Sequence, residues 1–130
     1  MNTRRLSSLA VGALLLLTAA VPAAQSPLEP LEFYRDQGVD QVDAARGRQL
    51  WYEPVGERSC SNCHGEDPAV IGKHAKTGKQ IAPMAPSLNP ERYQSANKIE
   101  KWFLRNCKWT WGRECSAQEK ADILTWLASQ

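Results

Sequence analysis

Methionine and histidine are scarce in this chain of 130 residues. Beyond the initiator there is a single methionine, Met84, and the only histidines are His64 and His74. Few residues of these two types can therefore serve as axial ligands of a metal cofactor. No stretch shows sustained alternation of apolar and polar residues, internal repetition or low complexity, which argues against strands and repeat architectures. There is also no apolar run long enough to cross a bilayer; the longest covers residues 9–17.

That run follows Arg4 and Arg5 and precedes the small residues around Val21-Pro22-Ala23-Ala24. The order is that of a secretory signal peptide, with a retained N-terminal anchor as the alternative. Cleavage after Ala23 puts small residues at both positions the peptidase reads; cleavage after Ala24 is a second choice. The expected organisation is a signal peptide over 1–23, a linker over 24–41 and one domain over 42–130. The mature chain is expected in the periplasm, without membrane insertion. Loss of Arg4 and Arg5 leaves 14 basic against 14 acidic residues. A neutral chain offers no electrostatic case for nucleic acid. About 105 residues make one small domain, which a cofactor or cross-link in the core would help to stabilise.

Helical periodicity marks three or four segments, and the fold class expected is all-α. A short helix fits residues 31–37. Asp43 is placed to cap a helix that Pro54 stops, with Ala44, Gly47, Leu50 and Trp51 on one face. Gly47 would let an aromatic, Trp126 first among them, approach the backbone. Ser95 or Asn97 starts another helix, to about Cys107, with Ile99, Trp102, Phe103 and Asn106 on one face. A loop over 108–115 follows. Ser116 and Glu119 have the spacing of a capping box, opening a last helix with Ile123, Leu124 and Leu127 as its stripe. Between 56 and 90 there are glycines, prolines and no periodicity, a stretch that something other than secondary structure must organise.

Inside that stretch lies Cys60-Ser61-Asn62-Cys63-His64. Two thiols three residues apart can reach both vinyl groups of one porphyrin, and the next imidazole then lies under the iron. The motif therefore points to one covalently attached haem c, with His64 as the proximal axial ligand. A zinc site would have to recruit Cys107 and Cys115, and exported cysteines rarely stay reduced. A redox dithiol would need a βαβ pattern, which is absent. With Cys60 and Cys63 used for thioethers, Cys107 and Cys115 remain for one disulfide. Ala85-Pro86-Ser87-Leu88 resembles the Gly-Pro-x-Leu segment of cytochromes c, whose proline carbonyl orients the proximal histidine. Pro86 is a candidate for that role; an ordinary turn proline is the other reading.

For the opposite side of the iron the choice is narrow. Met84 lies just before Pro86, on the proximal segment, and His74 lies in a lysine-rich loop suited to solvent or a propionate. Asn106 sits on the apolar face of its helix and needs a partner if buried; it could equally cap the helix end. Asn106-Cys107, Cys115 eight residues on, and Ser116-Ala117-Gln118-Glu119-Lys120 resemble the sphaeroides haem protein family. So do residues 72–79 and 86–92. These are class I-like cytochromes c, and the resemblance implies that Asn106 is the distal axial ligand of ferric iron. It also implies a Cys107–Cys115 disulfide beside it.

An amide oxygen suits Fe(III) better than Fe(II). Release on reduction would open a position for a diatomic gas such as O₂ or NO; Trp102, Trp109 and Trp111 could wall it, or each simply pack. Lys73, Lys76 and Lys79 could meet a redox-partner cytochrome, or simply face solvent. The expectation is an electron-transfer and gas-binding haem protein rather than an enzyme. An ordinary low-spin carrier using Met84 or His74 is one alternative. A small peroxidase or NO-detoxifying enzyme is another, though no distal histidine is evident for it.

Overall fold

The computed structural model describes residues 29–130; the expected signal peptide and the first part of the linker lie outside the described residues. In chain order the elements are α1 (Glu29–Arg35), α2 (Ala44–Tyr52), α3 (Ser61–His64), β1 (Gly72–Lys73), β2 (Gln80–Ile81), α4 (Ala96–Trp111) and α5 (Ala117–Ala128). The architecture is all-α apart from the small antiparallel hairpin, in which Gly72 pairs with Ile81 and Lys73 with Gln80. No strand was expected there, because two residues on each side are too few to show a period. Among the described residues no helix is long and apolar enough to cross a membrane.

The frame is the crossing of α2 and α5. Asp43 caps α2, its carboxylate accepting from the Ala45 and Arg46 N–H groups at 2.8 and 3.1 Å. A Cβ on Gly47 would lie 2.0 Å from the Asp122 carbonyl oxygen. The group that needs the space is thus the α5 backbone, not the Trp126 ring expected there. Trp126 instead packs on Trp51 and Tyr52, with centroids 5.4 and 5.8 Å away. The fully buried Asp122 carboxylate accepts from the Asp43 N–H at 2.8 Å, from Gln118 at 2.9 Å and from Arg46 Nε. Around this crossing Trp51, Ile123, Leu124 and Leu127 are almost wholly buried, each worth roughly 1.5–3 kcal/mol. α1 lies within the stretch expected as linker. It joins the core through fully buried Tyr34, whose hydroxyl donates to Glu100 on α4; Lys120 of α5 also pairs with Glu100 at 2.8 Å.

α4 departs most from expectation. Ser95, not Asn97, caps it, and the helix continues past Cys107 to Trp111. Neither glycine nor proline interrupts the chain until Gly112, which ends the helix at φ +69°. The loop expected over 108–115 therefore begins only at Gly112, and Asn106 lies more than a turn inside the helix rather than at its end. Ser116 and Glu119 form the expected capping box on α5. A Cys107–Cys115 disulfide, Cα atoms 5.7 Å apart, ties α4 to α5. Closing so short a loop contributes on the order of 2–3 kcal/mol.

Candidate functional site

α3 is a single turn that ends the Cys60–His64 motif, and its position is set by the hairpin beneath it. A Cβ on Gly72 would lie 2.4 Å from the Cys63 carbonyl oxygen, so β1 runs directly against this turn. The Ala75 N–H approaches Cys63 Sγ at 3.3 Å. Cys60, Cys63 and His64 all face one cleft of about 940 Å³. Ile99, Phe103, Asn106 and Thr110 line it from α4, and Ile123 and Leu124 line it from α5.

Both motif cysteines are free. Burial pushes the Cys60 thiol up to about 12, which disfavours a reactive thiolate there. Zinc is further disfavoured because Cys107 and Cys115 are bonded to each other. No group of three or more potential ligands gathers among the described residues. Burial, with the nearby Arg92 and His74 charges, lowers the His64 imidazole to about 4. It is therefore neutral near pH 7, the state in which an imidazole binds a metal. Its Nδ1 is buried with no hydrogen-bond partner; the structure does not pair it with the Pro86 carbonyl. The Trp51 ring packs 5.3 Å from the imidazole, and its indole N–H donates to Gly65 O at 3.3 Å, fixing the chain as it leaves His64.

Met84 and His74 both reach the cleft wall. The Met84 N–H donates to Pro68 O at 2.8 Å, and the Met84 carbonyl accepts from the Tyr93 hydroxyl at 2.7 Å. Met84 is thus tied to the loop that follows His64. Arg92 holds the Ala82 and Pro83 carbonyls of the same segment at 2.6 and 2.7 Å. Tyr93 stands at φ +62°, alone among the described non-glycine residues in having positive φ. For a bulky aromatic that costs of order 1 kcal/mol or more. His74 Nδ1 accepts from the Lys76 and Thr77 N–H groups, both at 3.2 Å, within the exposed hairpin that also carries Lys73 on β1 and Lys79 in the loop.

Asn106 faces the cleft from α4 and is exposed to it. Trp102 and Trp109 are partly exposed and stack with Arg105 and Arg58 at 5.2 and 5.0 Å. Trp111 stacks with Arg113 at 5.2 Å and has a buried, unpartnered indole N–H. Three residues of the site were not singled out from the sequence for roles here: Thr110, Tyr93 and, as the neighbour of His64, Trp51. Thr110 continues the 99–103–106 face and would have been found had the helix been extended to its first glycine. Tyr93 owes its place to a backbone conformation that carries no sequence signal.

Two free thiols, an unpartnered neutral imidazole and a largely apolar cleft fit a porphyrin attached through both cysteines. Comparison with known proteins points the same way. A family described as a domain of unknown function, DUF1924, matches residues 37–127. Cytochrome c-type protein SHP of Cereibacter sphaeroides is 40% identical over 116 residues, covering 85% of this chain and 89% of that protein. Cytochrome c″ of Methylophilus methylotrophus is 38% identical over 74 residues, 57% of this chain and 51% of that one. The solved structure of oxidised SHP, an oxygen-binding cytochrome c, superimposes with a TM-score of 0.74 at 42% identity, covering 81% of this chain and 97% of that one. Oxidised cytochrome c″ superimposes with a TM-score of 0.69 at 26% identity, covering 78% and 91%.

Proposed function

The chain belongs to the DUF1924 family and to the SHP family of class I-like cytochromes c, and from that premise we propose a periplasmic electron-transfer protein that binds a diatomic gas when reduced. Its cofactor is a single covalently attached haem c, which supplies a redox-active iron. In this reading Cys60 and Cys63 form the thioethers, His64 is the proximal ligand, and Asn106 is the distal ligand of ferric iron. Signal cleavage near Ala23 completes the proposal for the exported protein, whose folded domain takes in α1 as well as residues 42–130.

The observation that carries it is the position of Asn106. It faces the same cleft as His64, but from α4, whose other cleft-facing side chains include no methionine or histidine. Met84, by contrast, is hydrogen-bonded through its backbone to the loop leaving His64, which favours the proximal side. His74 Nδ1 is engaged with its own loop. An amide oxygen is a hard, weak donor that holds Fe(III) better than Fe(II). With haem bound, Asn106 would hold the ferric iron more firmly than the ferrous one, and the side chains of α4 would line the space in which O₂ or NO binds. Pro86 would complete the proximal side if its carbonyl takes the free His64 Nδ1–H. Lys73, Lys76 and Lys79 would meet an acidic redox-partner cytochrome.

Optical spectra test the reading. The oxidised protein should be high-spin, and the reduced protein should bind CO readily. Asn106→Ala should alter the ferric spectrum, whereas Met84→Leu and His74→Ala should leave coordination unchanged. A low-spin ferrous protein, inert to CO and altered by Met84→Leu, would instead make this an ordinary electron carrier.

A further inference from the structure

A threonine inside a helix ordinarily turns its hydroxyl back to the carbonyl four residues earlier. Thr125 in α5 does so, donating to Ala121 O at 2.8 Å. Thr110 in α4 makes no such bond: the residue is only 5% exposed, and its hydroxyl, open to the cleft rather than a buried unpartnered atom, has no hydrogen bond among the described residues. It lines the same cleft as Asn106, which lies one helical turn before it and whose side-chain amide is also without a partner among the described residues. Helical side chains lean toward the N-terminus, so the residue at i+4 leans over the residue at i, with Cβ atoms about 5–6 Å apart.

An asparagine that is to hold a metal through oxygen must turn its NH₂ away, and the NH₂ then needs an acceptor. Of the acceptor oxygens around the cleft, those of Ser59, Thr77, Gln80 and Tyr93 belong to segments outside α4, whereas that of Thr110 lies one turn from Asn106 on the same helix. The other α4 side chains around Asn106 on this face, Ile99, Trp102 and Phe103, bring no acceptor. We infer that Thr110 is a positioning residue for Asn106: its hydroxyl accepts from the Asn106 NH₂ group and thereby presents the amide oxygen to ferric iron. The inference rests on Asn106 being the distal ligand, and it adds what selects oxygen over nitrogen and holds the amide in place.

Competition by imidazole for the ferric site of the exported haem protein tests this. Thr110→Val keeps the shape and removes the hydroxyl. A neutral hydrogen bond lost from Asn106 should tighten imidazole binding about three- to tenfold and shift the ferric spectrum toward that of Asn106→Ala. Thr110→Ser should restore both readouts. In an Asn106→Ala background, Thr110→Val should leave imidazole affinity unchanged. Wild-type affinity and spectrum in Thr110→Val, with Asn106→Ala altered, would overturn the positioning role alone. So would an equal effect of Thr110→Val in both backgrounds. A wild-type ferric spectrum in Asn106→Ala would overturn the ligand assignment, and the positioning role with it.

Discussion

At the scale of single residues, the proposed chemistry rests on choosing a weak donor where a strong one is available in kind. Asn106 occupies a rigid interior turn of α4, more than a turn before Gly112, so its Cβ is fixed by helix geometry and only its two side-chain torsions remain to be set. This removes the reading of Asn106 as a helix-ending cap, because the αL terminus that wants such a residue is taken by glycine. The same rigidity makes a replacement informative. Asn106→Met puts a soft thioether, which favours ferrous iron, at the same helical position. The expected outcome is a low-spin protein in both oxidation states whose ferrous form no longer takes up CO, as read from absorbance spectra under a CO atmosphere.

At the scale of elements, the α2–α5 crossing and the start of α5 make separable contributions. Gly47 admits the Asp122 carbonyl at a distance where no Cβ fits, and the obstacle is backbone rather than a side chain that could turn aside. Gly47→Ala must push the helices apart and weaken the hydrogen bonds converging on Asp122. A loss of about 3 kcal/mol or more is expected in denaturant unfolding of the haem-loaded protein. The capping box of α5 should have a pH signature. Hydrogen bonds from Arg113, and then from the Ser116 backbone, hold the Glu119 carboxyl below its ordinary range. Its folded pKa is depressed, so its contribution is fully present above the unfolded value, near 4.3, and is lost as pH falls through the folded one. Glu119→Gln should therefore lower the melting temperature slightly at pH 6, by the equivalent of about 1 kcal/mol or less. The difference from wild type should shrink as pH falls through the depressed folded pKa and vanish below it.

At the scale of the whole molecule, the cleft separates two unequal halves. α1, α2 and α5 close on a conventional apolar core with Tyr34, Trp51 and Leu124 inside. The stretch from α3 to Tyr93 has little regular structure beyond a hairpin of two residues a strand, and joins that core mainly through Tyr93, with Met84 packed beside it. One face of that stretch looks into the cleft, and burial of a porphyrin there supplies the apolar contact that the loops lack. Cys60→Ala combined with Cys63→Ala should yield protein without covalent haem by mass spectrometry and largely unfolded by circular dichroism. A well-folded double variant would show that the loops need no cofactor to organise them.

Local patterns in the chain were enough to determine the covalent cofactor motif, the caps at Asp43 and Ser116, the apolar faces of α2 and α5 and the all-α class, and narrowed the start of α4 to Ser95 or Asn97. Each depends on neighbours within about four residues, and the chemistry of caps and helical faces acts at that range. The end of α4 was also written locally, in Gly112, but the expected boundary near Cys107 fell four residues short of Trp111. Other features depended on residues far apart in the chain. Gly47 could be read as a site of close approach, but only packing of α2 on α5 decided that a backbone carbonyl, not Trp126, comes near. The left-handed turn at Tyr93 and the short hairpin under Cys63 are tertiary outcomes in the same sense. So is the meeting of His64 with Asn106 and Thr110 across one cleft, since a shared cavity exists only once distant helices have closed around it.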